Sequence, residues 1–159
     1  MADYFAVQGG KPLEGTIRVQ GSKNAVLPIL AACLLVKGET VLHHCPMISD
    51  VEDTLLLLRK LGCLVQREGH TVRIDSTDAA DLSLCDGTAS TMRSSVLFLG
   101  ALLGRFGHAE VPKPGGCAIG ARPIDLHLAA FRQMGVCCEE KEASIYCHAN
   151  TLAGTKISL

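Results

Sequence analysis

One cysteine in this chain sits in a setting where thiols react. The segment Pro114-Gly115-Gly116-Cys117-Ala118-Ile119-Gly120-Ala121-Arg122-Pro123 places Cys117 between glycines, with an arginine five residues on and a helix start just beyond. Glycines on both sides open backbone conformations closed to other residues, so several N–H groups can converge on one anion. In such an electropositive, partly exposed loop the thiolate is favoured, and the group can act as nucleophile or acid. The chain has 8 cysteines, so a loop cysteine can also be incidental, but glycine-flanked loops are an unusual place for core filling.

Cations at helix starts form the second constellation. A helix N-terminus carries partial positive charge, which makes a lysine or arginine in the first turn mildly unfavourable by itself. Lys23 and Arg93 both fall at predicted helix starts, in Ser22-Lys23-Asn24-Ala25 and Met92-Arg93-Ser94-Ser95, and Arg122 stands just before a third. Singly, each is as well explained as a solvated surface cation. Together they describe a site for a phosphate-bearing ligand in the space the helix ends face. Asp50 and Asp125 lie in the first turns of their predicted helices, where an acid is expected on dipole grounds alone. His127 follows Asp125 by two residues and can face the same cleft.

Other chemistries are poorly supported. His43-His44-Cys45 looks ligand-like but lacks a fourth partner. No CxxC pair exists, and adjacent Cys137 and Cys138 would point to opposite faces of a strand, so no metal site is expected. No P-loop and no GxGxxG after a strand is present, which leaves a nucleotide cofactor unsupported, and no cofactor is expected. A cysteine hydrolase would need a histidine base near Cys117, and His127, the one candidate nearby, has no convincing partner.

The elements that must position these groups are those of one ordinary domain. With 159 residues, 48% hydrophobic, 19% charged, 4% aromatic and no Trp, the composition suits an α/β or α+β body packed with Leu, Ile, Val and Ala. Fifteen basic against 16 acidic residues give a net charge of −1, too small a field to hold nucleic acid or an anionic membrane. The apolar stretch Val26 to Val36 is too short for a membrane span and contains Pro28, and Met1-Ala2-Asp3-Tyr4-Phe5 opens no secretory signal, so a reducing, cytoplasmic setting is the default.

The chain repeats itself. Lys23 matches Arg93, Val26 matches Val96 and Val41 matches Val111, each 70 positions apart, while Arg59-Lys60-Leu61-Gly62 matches Arg132-Gln133-Met134-Gly135 at 73. Each unit reads helix, strand, helix, strand, strand, a supersecondary period. The units span about 22–85 and 88–150, after N-terminal strands within 1–21, and a third is expected to begin with a strand near 153. There Gly154-Thr155-Lys156-Ile157 echoes Gly15-Thr16-Ile17-Arg18. The extra residues of the second unit fall between Val111 and Gly135, the interval that holds Cys117. Ser49-Asp50-Val51-Glu52 reads as a capping box before a helix stopped by Gly62. Ser22 reads as the cap of the helix from Lys23, and Pro123 as the first residue of a helix closed by Gly135. The Leu55–Leu58 run and the Val96–Leu103 stripe are predicted core.

Gly21-Ser22-Lys23-Asn24-Ala25, Thr91-Met92-Arg93-Ser94-Ser95 and Pro114 to His127, in order and spacing, resemble the UDP-N-acetylglucosamine 1-carboxyvinyltransferases, enolpyruvyl transferases that open peptidoglycan synthesis. The resemblance implies an inside-out α/β barrel of βαβαββ units in two lobes with a cleft between them. This chain would supply two units and the start of a third, with 1–21 packed against the other lobe. The implied reaction moves the enolpyruvyl group of phosphoenolpyruvate to the sugar 3-hydroxyl and releases phosphate. Cys117 matches the loop cysteine that protonates the vinyl carbon, and Lys23 and Asn24 the pair at the two substrates. Arg93 and Arg122 match cleft arginines, and Arg122, Pro123, Ile124, Asp125 and Leu126 the lining of the UDP-sugar site. Asp50 and His127 are further candidates. The same resemblance implies roles in cell-wall biogenesis, cell shape, cell cycle and division, a cytoplasmic location, and attack by fosfomycin. The missing C-terminal portion would carry the base for the sugar hydroxyl, so this piece alone is expected to be inactive. The alternatives are 3-phosphoshikimate carboxyvinyltransferase and a non-catalytic sugar-nucleotide module of the same fold.

Overall fold

The computed structural model describes residues 4–80, 84–85, 95–113 and 123–157. Two copies of one arrangement follow each other. The first is α1 (Lys23–Ala32) with a 3-10 turn at Cys33–Leu35, β1 (Glu39–Leu42), α2 (Ser49–Lys60), β2 (Leu64–Glu68) and β3 (Thr71–Asp75). The second is α3 (Ser95–Phe106), β4 (His108–Pro112), α4 (Asp125–Gln133), β5 (Cys137–Glu140) and β6 (Ser144–His148). The sheets have the same order, β1-β3-β2 and β4-β6-β5, with the hairpin's second strand in the middle and antiparallel to both neighbours.

Each sheet turns one face to the helices. Val72 and Ile74 of β3 and Ile145 and Cys147 of β6 are buried at equivalent positions, the period-two pattern of a half-covered strand. Leu55, Leu57 and Leu58 of α2 and Phe98, Leu99, Leu102 and Leu103 of α3 complete one continuous core, while Leu56 is 40% exposed on the far side of its helix. Gly62 and Gly135 both have φ +88°, a left-handed exit that stops α2 and α4 and starts each hairpin.

The two units are clasped at one end. Arg105, in the last turn of α3, donates from Nη1 to the Leu34 carbonyl at 2.8 Å and to Ser76 Oγ at 3.1 Å. Its Nη2 donates to the Ser76 carbonyl at 2.6 Å. A Cβ on Gly104 would stand 3.0 Å from Leu35 Cδ2, so α3 lies directly on the 3-10 turn that ends α1. The C-terminal ends of two packed helices therefore meet, and α1 and α3 run in the same direction.

Several local readings are corrected. Residues 15–20 and 154–157 form no strand, because no described segment lies alongside to complete a ladder. Ile48 rather than a capping-box serine precedes α2, and Ser49 is its first residue. Ser22 has the extended backbone of a cap, and its carbonyl accepts from Val26 N at 3.0 Å, but its hydroxyl makes no cap bond. Pro123 lies two residues before α4, whose cap is Ile124. In the ladders Leu42 faces Val72 as Val111 faces Ile145, so Leu42, not Val41, is the partner of Val111 in the repeat.

Arg105→Ala removes the donor to three carbonyls (Leu34, Ser76 and Thr77) and to the buried Ser76 hydroxyl, and is expected to lower stability by about 2–3 kcal/mol. Urea unfolding checks this, and an unchanged midpoint would refute the clasp.

Candidate active site

Lys23, the first residue of α1, reaches Asp50 in the first turn of α2, with Nζ 3.1 Å from Oδ1. Two helix N-termini thus lie side by side, and since α3 runs parallel to α1, its N-terminus lies toward the same end. The positive ends of three helices share one side of the molecule. Lys23 and Asp50 remain 50% and 45% exposed, so their pairing adds little to stability. Its consequence is positional: Asp50 offsets the unfavourable placement of a lysine at a helix start and holds the ammonium between the starts of α1 and α2. The sequence separates these two residues into a ligand cation and a dipole-satisfying acid, whereas the fold makes them partners.

Asp50 is aimed by the connection 43–48, which is fixed from behind. The Arg67 guanidinium, 12% exposed, pairs with Glu52 through Nη1. Its Nη2 donates to the Pro46 carbonyl at 3.0 Å, and its Nε to the Gly69 carbonyl at 2.9 Å. His70 Nδ1 lies 3.0 Å from the Cys45 carbonyl, and Cys45 N donates to the His70 carbonyl at 2.8 Å. His44 takes φ +61°, and its carbonyl lies where a Cβ on Gly21 would fall, 2.2 Å away. Gly21 is therefore the residue that lets the chain enter α1 beside the connection to α2. Sequence reasoning overlooks Arg67, since an arginine in an alternating strand reads as solvent-facing. The single available signal for Gly21 is its place directly before a helix cap.

The second unit presents its counterpart connection, 113–124, twice the length of 43–48 and leaving β4 at the equivalent point. Lys113 N donates to the Ala143 carbonyl at its near end. At its far end Pro123 is exposed, Ile124 packs against the core, and Asp125, Leu126 and His127 are exposed on the first turn of α4. Asn24 is exposed beside Lys23. Cys117, Arg93 and Arg122 lie outside the described residues. An open depression of about 620 Å³, lined by Arg18, Val19, Gln20, Gly21, His44 and His70, adjoins the start of α1, and neither Lys23 nor Asp50 forms part of its lining.

Among the described cysteines, Cys33, Cys45, Cys63 and Cys147 are buried, and burial pushes each thiol upward, Cys63 to about 11. His43-His44-Cys45 does not converge. Cys45 Sγ lies 3.9 Å from the Leu42 carbonyl, and His43 Nδ1 lies 3.3 Å from Thr71 Oγ1. No helix among the described residues is long and apolar enough to cross a membrane.

The sequence model of EPSP synthase (3-phosphoshikimate 1-carboxyvinyltransferase) matches residues 7–159. The chain belongs to the EPSP synthase family. It is 46% identical over 98% of its length to the UDP-N-acetylglucosamine 1-carboxyvinyltransferase of Nitratidesulfovibrio vulgaris, covering 37% of that protein. It is 45% identical over 92% of its length to the enzyme of the same name from Wolinella succinogenes, covering 35% of it. Its fold matches the crystal structure of the enolpyruvyl transferase NikO from Streptomyces tendae with a TM-score of 0.74 at 21% identity, over 91% of this chain and 32% of that one. The chain thus spans about a third of the length of the curated relatives it matches.

Two measurements check this geometry. Gly21→Ala forces the α1 entry away from the His44 carbonyl and is expected to lower stability by about 1–3 kcal/mol, read by thermal melting, with an unchanged melt refuting the close approach. Iodoacetamide at neutral pH is expected to modify exposed Cys85 and Cys137 well before the four buried thiols, since a raised pKa lowers the thiolate fraction. Peptide mass mapping reads the order, and early modification of Cys63 or Cys147 would contradict it.

Proposed function

We propose that this chain forms one wall of an enolpyruvyl transferase that joins phosphoenolpyruvate to the 3-hydroxyl of UDP-N-acetylglucosamine. The observation that carries the reading is the identity of 41–46% to proteins of that name along nearly the whole chain. The half-exposed Lys23 at converging helix N-termini supports it, because a phosphate or carboxylate there gains both a cation and helix dipoles. Cys117 donates a proton to the vinyl carbon while the sugar oxygen bonds to the adjacent carbon. The sugar hydroxyl gives up its proton to a base in the portion the chain does not span, and loss of a proton from the new methyl group then expels phosphate and forms the enol ether product. Lys23, Arg93 and Arg122 neutralise the phosphate and carboxylate charges, the electrostatic part of the catalysis. Asn24, Pro123, Ile124, Asp125 and Leu126 border the sugar nucleotide, with Asp50 holding Lys23 in place and His127 near the same edge.

Residues 1–21 pack, in this reading, against the portion that the chain does not span. Tyr4, Phe5, Val7, Leu13, Ile17 and Val19 are each at least 85% exposed here, an apolar row that calls for a cover. A role in cell-wall synthesis and division, a cytoplasmic site of action and fosfomycin sensitivity through Cys117 belong to the same proposal. The name of the matching family model keeps 3-phosphoshikimate as a second acceptor.

The isolated 159-residue chain is expected to release no phosphate from the two substrates, because one wall of a cleft cannot orient them. Co-expression with the remaining two thirds of the Nitratidesulfovibrio vulgaris protein is expected to restore turnover. Cys117→Ala is expected to abolish it, and Lys23→Ala to reduce it by about 10²–10³-fold. Coupled phosphate detection checks this. Full turnover by the Cys117→Ala hybrid, or turnover with shikimate 3-phosphate in place of the sugar nucleotide, would sink the assignment.

A further inference from the structure

The second sheet brings together three donors that sequence spacing keeps apart. Cys137 on β5 lies directly across the ladder from His148 on β6, and Glu139 lies two residues along β5 on the same face as Cys137. This is the face away from the helices, and Cys137 and Glu139 are both exposed on it. The thiol, a ring nitrogen and a carboxylate oxygen all lie within 4.8 Å of one another. A second observation is independent of that proximity. Nδ1 of His148 is buried and has no hydrogen-bond partner, an arrangement that native proteins rarely leave unexplained. Tyr146, which faces Glu139 across the ladder, lies beside the ring, with centroids 5.6 Å apart and planes inclined by 31°.

We infer that Cys137, Glu139 and His148 form a surface site for a zinc-class divalent cation. The donor set is one sulfur, one nitrogen and one oxygen, which suits Zn²⁺ and not the all-oxygen shells of Mg²⁺ or Ca²⁺. Tetrahedral zinc places such donors about 3.5 Å apart, so the site closes by roughly an ångström through rotation of two exposed side chains. Binding converts the Cys137 thiol to thiolate and releases its proton, and thiolate plus carboxylate then balance the two charges of the ion. Either ring nitrogen of His148 can serve as the donor, and metal ligation at one fixes the proton on the other. Three protein donors leave a fourth position for water or another ligand. Adjacency of Cys137 and Cys138 counts against zinc only for that pair. The same alternation that buries Cys138 toward Cys147 turns Cys137 toward His148.

The test follows alkylation of each cysteine by iodoacetamide in the 159-residue chain, with and without Zn²⁺. Zn²⁺ is expected to slow modification of Cys137 at least tenfold while leaving exposed Cys85 unchanged. His148→Gln is expected to remove the protection, and Glu139→Gln, at an exposed strand position that does not threaten folding, to weaken it markedly. Circular dichroism confirms that each variant is folded. With Co²⁺ in place of Zn²⁺, a thiolate-to-metal charge-transfer band is expected and is lost in Cys137→Ser. Equal alkylation of Cys137 with and without Zn²⁺, protection that survives in Glu139→Gln at full strength, or a cobalt band that persists in Cys137→Ser would overturn the site. None of these readouts depends on enolpyruvyl transfer.

Discussion

The Arg105 guanidinium binds the end of α1 and the end of the first sheet at once, and most of the architecture depends on that clasp. It ties together two three-stranded sheets, each with its own helices, whose units also share one continuous core. Because it gathers C-terminal ends, it fixes α1 and α3 as parallel neighbours and turns their N-termini to one side. Parallel helices in contact carry an unfavourable dipole arrangement, which the buried Leu30, Leu34, Phe98, Leu99 and Leu102 offset through apolar contact. Among the described residues, Asp50 and Glu52 in the first turn of α2 place acidic charge at these positive ends.

The connections between β-strand and second helix are where the two units diverge. In the first unit, Arg67 and His70 hold residues 43–48 with hydrogen bonds to main-chain carbonyls, and the outcome is a fixed Asp50 against Lys23. In the second, the corresponding connection is twice as long and carries the glycine-flanked thiol. The first connection is thus pinned by hydrogen bonds, and the second is the longer one and contains Cys117 in its sequence.

Much of the fold was legible because repeats, hairpins and glycine stops are local. The alternation from Cys63 to Ile74 and from Val136 to Cys147 announces hairpins, and Gly62 and Gly135 announce their starts. Helix caps were less legible. Ser22 takes the cap position its type suggests, yet Ile48 rather than Ser49 caps α2 and Ile124 rather than Pro123 directly precedes α4, because apolar contact with the core sets where these helices begin. The repeat alignment slipped by one residue at β1, since Val41 and Leu42 are chemically equivalent to a pattern and are told apart only by which faces Val72. At the site, residue types flagged Lys23 and Asp50 separately, and no spacing rule could pair residues on different helices.

Residue order alone determined the duplicated unit, the apolar positions that form the core, the kinship with enolpyruvyl transferases and the candidate list around Cys117. These depend on period and residue type, which a linear chain states directly. Tertiary structure alone decided that α1 and α3 run in the same direction, that Asp50 meets Lys23, that Arg67 braces the connection between them, and that Cys137 faces His148. Each of these is a contact between segments brought together by ladder register and helix packing. Such contacts arise from how surfaces fit, and a side chain's own identity does not name its partner.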